Sequence, residues 1–341
     1  MAQKYAKDQP AGFTNRIERV AIVGASGSVG KPIAQELLKT GQHTVTALTR
    51  VDSTSLLPDG VQVARVDYDN EDSLASALAG QQFLIITLAI TAAPETESKL
   101  IRAAARAGVP YVMPNSYGWD VENEELRKAI YVASDGYQRA RDAAQTAGVS
   151  ALIPLVCGFW YEFSLISGEP WFGFDFEKKK VTFYDDGETK INVSTWEQCG
   201  RAVAKLLSLK ELPEDTNDQG PVLSNWANKP AYIDSFLVSQ RDMFESWKRI
   251  SGDSDEDWTI EYEPSTDRRA KGLDRLQNGD HAGFAMAMYA RVLYPNGGGN
   301  HGERHGLVNE LLGLPKEDLD ERTAVAKTLL EKGYQYFGNR V

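Results

Sequence analysis

From Arg19 onward, apolar and polar positions follow two periods in turn. Val20-Ala21-Ile22-Val23 is an unbroken apolar run that ends at a glycine, as a strand buried on both faces of a parallel sheet does. Val29, Ile33 and Leu37 then recur at a spacing of four, which is one face of a helix. The pairing repeats down the chain. Residues 44–49, 61–66, 83–88, 111–113 and 151–156 read as further strands. Leu74 and Leu78, then Leu100, Ile101, Ala104 and Ala105, mark helices between them, and residues 135–147 read as another. Strand–helix alternation at this pitch predicts an α/β fold with a Rossmann-type doubly wound parallel sheet.

The texture changes after Gly158. Phe159, Trp160, Tyr161, Phe163, Trp171, Phe172, Phe174 and Phe176 crowd together, followed by a strand at 180–184, a turn at Asp186-Gly187 and a helix at 195–207. Beyond 226 the chain reads as mostly helical with polar loops. The expected organisation is a loose tail (1–16), a nucleotide-binding Rossmann domain (17–156 plus 191–224) and a smaller, mostly helical substrate lobe (157–190 plus 225–341). The aromatic crowd is either the core of that lobe or the stacking wall of a pocket, with Phe284, Met286 and Met288 able to complete such a wall.

Charge narrows the partners. The net charge of -11 gives an acidic surface that repels phosphate backbones, so nucleic acid is not an expected partner. The longest strongly apolar stretch, Phe83 to Ile90, is too short to span a bilayer. Two cysteines, Cys157 and Cys199, make no disulfide framework, and the polar start from Met1 to Phe13 lacks the apolar core of a secretory leader. A cytoplasmic location is expected, and a homodimer is compatible with the sequence.

The candidate chemistry begins at Gly24-Ala25-Ser26-Gly27-Ser28-Val29-Gly30, between the first strand and first helix. Gly24 permits a sharp exit from the strand. Gly27 lets the backbone approach a pyrophosphate at the helix N-terminus, where free N–H groups favour anions, and Gly30 allows close helix–strand packing. The spacing is G-x-x-G-x-x-G, a relative of the general dinucleotide fingerprint. The second strand ends in Leu48-Thr49-Arg50, where NAD-specific folds place an acid for the ribose. Arg50 suits a 2′-phosphate instead, Lys31 stands near to help, and Asp52 competes, so NADP(H) is the expected cofactor.

These segments, with Met113-Pro114-Asn115-Ser116-Tyr117-Gly118 and Gly158-Phe159-Trp160-Tyr161-Glu162-Phe163, resemble the NmrA-like family. These are atypical short-chain dehydrogenases that include the isoflavone, pinoresinol and phenylcoumaran benzylic ether reductases. The likeness is greatest to a fungal, CipA-like branch. The resemblance implies NADPH across the sheet edge, with Thr87, Asn115, Cys157 and Phe159 joining the glycine loop and Arg50 around it. It also implies a small aromatic substrate between the lobes, against Tyr117, Trp160, Tyr161, Phe163 and Met288.

One departure matters. The family's reductases carry a lysine on the helix after the fifth strand, and Tyr137 fills that place here, with Arg139 and Arg141 nearby. A phenol is a weak general acid at its ordinary pKa of ~10 unless a cation lowers it. Tyr137 is therefore the candidate catalytic residue, with packing as its other reading. No metal site is expected. His301-Gly302-Glu303-Arg304-His305 is not a zinc-protease motif and reads as a glycine-flanked loop. Three functions stay open: a reductase passing hydride from nicotinamide C4 to an enone, quinone or benzylic centre; a dinucleotide-binding redox sensor, which loss of the lysine fits; and redox-neutral isomerisation.

Overall fold

The computed structural model describes residues 4–89, 92–129 and 131–334, with backbone alone for 131–135. Residues 1–3 of the expected tail and 335–341 of the expected second lobe lie outside the described residues. β1 (Arg19–Val23) takes the central position that its apolar run predicts, with Val20, Ala21 and Ile22 fully buried. It is followed by α1 (Gly30–Lys39), β2 (Thr44–Arg50), β3 (Gln62–Val66), α2 (Glu71–Leu78), β4 (Phe83–Ile86) and α3 (Thr96–Arg106). Then come β5 (Tyr111–Met113), α4 (Glu124–Ala129), α5 (Tyr131–Ala147) and β6 (Ala151–Leu152). Among the described residues these strands form one parallel sheet of six, ordered β3-β2-β1-β4-β5-β6. The order reverses between β1 and β4, so a crevice opens at their carboxyl ends. One face buries Ile22, Val45, Ile33 and Leu37. The other buries Ala21, Leu48, Leu84, Leu100 and Leu152.

The second half of the chain runs through β7 (Leu155–Val156), β8 (Phe159–Trp160), α6 (Tyr161–Ile166), β9 (Phe174–Asp175), β10 (Lys180–Tyr184), β11 (Ile191–Ser194) and α7 (Trp196–Leu207). It continues with β12 (Ala231–Tyr232), β13 (Phe236–Val238), α8 (Gln240–Ser251), β14 (Thr259–Glu263), α9 (Ser265–Gln277), α10 (Ala282–Val292), α11 (His301–His305) and α12 (Leu319–Glu331). Two small sheets, β14-β10-β9 and β13-β11-β8, carry the second lobe. Its core is aromatic, with Phe172, Phe174, Phe183 and Phe244 almost fully enclosed. Among the described residues no helix is long and apolar enough to cross a membrane.

Four expectations change. The sixth strand, expected as one run over 151–156, divides at Pro154, which has no N–H to give a neighbour. Its second part, β7, pairs in parallel with β12, and the Pro154 carbonyl accepts from Ala231 N at 2.8 Å. Ala231 and Ile233, placed in the substrate lobe by the sequence, are thereby buried in the core of the Rossmann half, joined by Leu312. The stretch 191–224 divides the other way. β11 belongs to the second lobe, while α7 packs on α1 so tightly that a Cβ at Gly200 would lie 2.7 Å from the Pro32 carbonyl oxygen. The expected loose tail is tied down from residue 4 onward, because Asn15 exchanges hydrogen bonds with the backbone of Leu212 at 2.8 and 2.9 Å and Ala6 N donates to Pro213 O at 2.9 Å. The segment read as a loop at 301–305 is a helical turn, because Asn300 caps it by accepting from Glu303 N at 3.1 Å.

Candidate cofactor cleft and active site

The glycine turn stands at the carboxyl end of β1. Gly24 has φ of +81°, and a Cβ there would lie 2.0 Å from the Thr87 carbonyl oxygen. A Cβ at Gly30 would lie 2.2 Å from the Gly24 carbonyl oxygen and 2.7 Å from Thr87 Oγ1. Thr87 therefore acts as the floor of the turn, its hydroxyl donating to Val23 O at 2.7 Å. Gly27 differs. Its N–H donates to Gly24 O at 2.8 Å, and 3.1 Å to the same oxygen is the single close approach a Cβ would make. Among the described residues no side chain caps the N-terminus of α1; Lys31 N donates to Gly27 O at 2.9 Å, Ile33 N donates to Val29 O at 3.2 Å and Pro32 has no N–H, so the first-turn N–H left for an anion is that of Gly30. Ala25 and Val29 are buried beneath the turn, while Ser26 and Ser28 stay partly open. Ser28 Oγ meets the hydroxyl of Tyr334 at 3.3 Å.

At the end of β2 the Arg50 side chain is 73% exposed. Its charge is only loosely engaged, with Asp52 at 3.9 Å. Arg65 on β3, which the sequence reading passed over, donates to the carbonyls of Arg50 at 3.0 Å and Ser53 at 2.7 Å and so fixes the turn that carries Arg50. Among the described residues the Arg50 guanidinium thus keeps only the loose pair with Asp52.

The ends of β4, β5 and β7 form the next part of the rim. Asn115 bridges β4 and β5: its Oδ1 accepts from Leu88 N at 3.1 Å, its Nδ2 donates to Leu88 O at 3.2 Å, and its own N–H donates to Glu97 at 2.7 Å. Burial raises the Glu97 pKa, partly offset by the Asn115 N–H and the charge of Arg139. Tyr117 and Cys157, expected at the substrate and the cofactor, are corrected to supports beneath the rim. Tyr117 is enclosed and its hydroxyl donates to Ile86 O at 3.1 Å, while the Cys157 thiol donates to Tyr117 O at 3.3 Å.

In the second lobe the expected substrate residues separate. Tyr161 is corrected to core: it is fully buried, and its hydroxyl bonds Thr323 at 2.7 Å on α12. Phe159 stacks on Tyr289 with ring centroids 3.9 Å apart and faces the crevice between the lobes. Trp160 stands half-buried against Phe163 with its indole nitrogen unpartnered. Met288 is half-buried against the aromatic core. The crevice, lined in part by Trp119, Asp120, Phe159, Asn192 and His301, encloses about 10 Å³ of free space, room for one water.

Tyr137 sits on α5, 7% exposed, in a small cluster with Val121, Val156 and Tyr232. Burial raises its pKa; the Arg141 guanidinium, 5.9 Å from the ring, opposes this without cancelling it. Beside the cluster lies a polar network that the sequence did not foretell. Asp120, almost fully buried, accepts from the Tyr232 hydroxyl at 2.9 Å and bonds His305 Nε2 at 2.8 Å. The His305 ring stacks on Tyr232 at 4.3 Å, with planes 7° apart. Tyr232 also donates to Glu122 at 3.3 Å. His301, one turn earlier, bonds Ile233 O at 3.0 Å and is held neutral by burial, its pKa lowered to about 4. No local motif announces this group, since 185 residues separate Asp120 from His305.

Comparison with known proteins agrees with this architecture. The NmrA-like family model matches residues 17–159. Oxidoreductase aprR of Aspergillus flavus is 28% identical over 310 residues, covering 89% of this chain and 96% of its own length. Among solved structures, the pinoresinol-lariciresinol and phenylcoumaran benzylic ether reductases superpose with a TM-score of 0.70 at 17% identity, over 91% of this chain and 99% of theirs. AtPrR2 with NADP+ and (+)-pinoresinol superposes with a TM-score of 0.65 at 18% identity, over 92% of this chain and 100% of its own. The glycine turn on its six-stranded sheet, the NmrA-like match over residues 17–159 and the end-to-end likeness of fold make this chain similar to the NmrA-like family over its first half and to the isoflavone-reductase-like structures in architecture throughout.

Proposed function

We propose that this protein is an NADPH-dependent reductase of a small aromatic acceptor, an enone, a quinone or a benzylic centre. The observation that carries the reading is the glycine turn: its two outer glycines leave no room for a Cβ, its middle glycine leaves the backbone bare for a pyrophosphate to approach, and the N–H of Gly30 at the start of α1 is left to meet it. Arg50 reads the 2′-phosphate and Thr87 floors the turn. Phe159, Trp160, Phe163 and Met288 form an apolar wall across the cleft. When bound, NADPH supplies a hydride from nicotinamide C4. The names of the full-length relatives support an oxidoreductase, and AtPrR2, with NADP+ and an aromatic ligand on the same fold, supports the substrate class.

Tyr137 takes the place of the family's lysine. Its raised pKa keeps the phenol protonated at neutral pH, so it serves as a hydrogen-bond donor to an acceptor oxygen and gives up its own proton poorly. The test is stopped-flow absorbance of NADPH across a panel of quinones, aromatic enones and benzylic ethers. Oxidation of at least one acceptor supports the reading. Tight NADPH binding with no acceptor consumed favours the sensor, which the missing lysine suggests. Conversion of substrate without loss of NADPH favours isomerisation.

A further inference from the structure

A reductase that lacks the lysine still needs a proton for the reduced oxygen. Tyr137 is a poor source, because burial holds its proton more tightly. The neighbouring network offers a better one. His305 is oriented by two contacts: Nε2 bonds the buried Asp120 carboxylate at 2.8 Å, and the ring lies flat on Tyr232 at 4.3 Å. Nδ1 hydrogen-bonds no described residue, and the side chain keeps 27% of its surface open. A carboxylate that fixes one ring nitrogen and leaves the other free sets the tautomer and steadies the imidazolium, as in the histidine–aspartate pairs of acyl-transfer enzymes.

Location supports a chemical role. Asp120 lies on the loop after β5 and lines the interlobe crevice together with Phe159. Tyr232 belongs to the cluster that holds Tyr137 and stacks on His305, so one ring separates the phenol from the imidazole. The titratable groups at His305 are Asp120 from the β5 loop, Tyr232 from β12 and the neutral His301 from its own helix; Glu122, bonded to Tyr232, and Tyr137 with Arg141 from α5 stand behind Tyr232.

Resting on the reductase reading, we propose that His305, held by Asp120, is the proton donor that replaces the family lysine. In the reduction the acceptor carbon gains a hydride from NADPH, which becomes NADP+. The electron pair of the C=O or conjugated C=C ends on oxygen. The proton that completes the reaction leaves Nδ1 of His305, its N–H bond breaking as the O–H bond forms. The ring becomes neutral and is reprotonated by water; Asp120 stays a carboxylate throughout.

The experiment compares wild type with His305→Gln, whose amide can still donate to Asp120 and so preserves a purely structural bond. Turnover of the best acceptor should fall by roughly 10²–10³ with NADPH affinity kept within about twofold, the alkaline fall of kcat should vanish, and added imidazole should restore part of the rate. Turnover and pH profile like wild type in the variant overturn the donor alone. No turnover by wild type with any acceptor overturns the reductase reading and the donor with it. A second readout needs no cofactor. Diethyl pyrocarbonate should acylate His305 on the wild-type protein, and 4-nitrophenol should slow that reaction several-fold while sparing the exposed His281. Equal rates at His305 with and without the phenol would place the acceptor oxygen elsewhere and refute the assignment.

Discussion

Gly30→Ala sets two physical effects against each other. Alanine in a helix is favoured over glycine by about 1 kcal/mol, so propensity alone predicts a more stable protein. The fold predicts the reverse. The new Cβ would lie 2.2 Å from the Gly24 carbonyl oxygen and 2.7 Å from Thr87 Oγ1, and the first of these is backbone that cannot rotate away. To reach even a tight contact the carbonyl must retreat by about 1 Å, and it is the acceptor for Gly27 N at 2.8 Å. Overpacking of this kind costs about 1–3 kcal/mol, so after the propensity gain a net loss of up to about 2 kcal/mol remains. For a chain of 341 residues that lowers the melting temperature by up to about 3 °C. Moving the turn also withdraws an N–H from the pyrophosphate, which weakens NADPH by roughly tenfold. Thermal melting followed by circular dichroism, with titration calorimetry of NADPH, measures both. A variant that melts higher and binds NADPH as tightly as wild type would refute the close approach on which the cofactor reading stands.

Three further perturbations probe other parts of the site. Arg50→Ala should weaken NADPH by about 1–3 kcal/mol and leave NADH nearly unchanged by calorimetry, whereas equal losses would remove Arg50 from the 2′-phosphate. Tyr137→Phe should slow turnover by about tenfold, the worth of one hydrogen bond, and keep the pH profile of wild type; a loss of a thousandfold would return the proton donor to the phenol. Glu162 is almost fully enclosed, its two carboxyl oxygens have no hydrogen-bond partner among the described residues, and burial pushes its pKa up to about 8. Its folded pKa lies above the unfolded value, so its contribution is fully present below about pH 4.5 and is lost as pH rises through about 8. Glu162→Gln should therefore gain on wild type in melting temperature from pH 5 to pH 8, and parallel melting curves across that range would show that the carboxyl is already ionised or solvated.

The sheet and the turn were legible because their signals are local. An apolar run, a glycine turn and an apolar stripe fix β1 and α1 within 21 residues, and the same grammar repeats through β5. Pro154 was visible too, but its effect depends on β12, whose Ala231 pairs with Leu155 across 76 residues. The aromatic run after Gly158 left core and pocket wall undecided, since composition does not say which ring faces inward. Tyr161 and Phe172 went to the core, while Phe159 reached the crevice. Asp120 and His305 escaped notice for a simpler reason. Each looks like an ordinary surface residue until tertiary folding brings them to 2.8 Å.

The packing of α7 on α1 also bears on how the chain is made. When β7 leaves the ribosome, six parallel strands are available, yet the face bearing Ile22, Ile33, Leu37 and Val45 has lost part of its cover. That cover includes Val203, Leu206 and Leu207 of α7, some fifty residues later, and Leu223, Ile233 and Leu312 later still. Synthesis at about 5–20 residues per second leaves this apolar face open for seconds, and much longer for the last of its partners. The nucleotide-binding half is therefore not a unit that folds to completion first. It waits on segments from across the sequence, and a nascent chain stalled before α7 would be a preferred client for chaperones that bind exposed aliphatic surface.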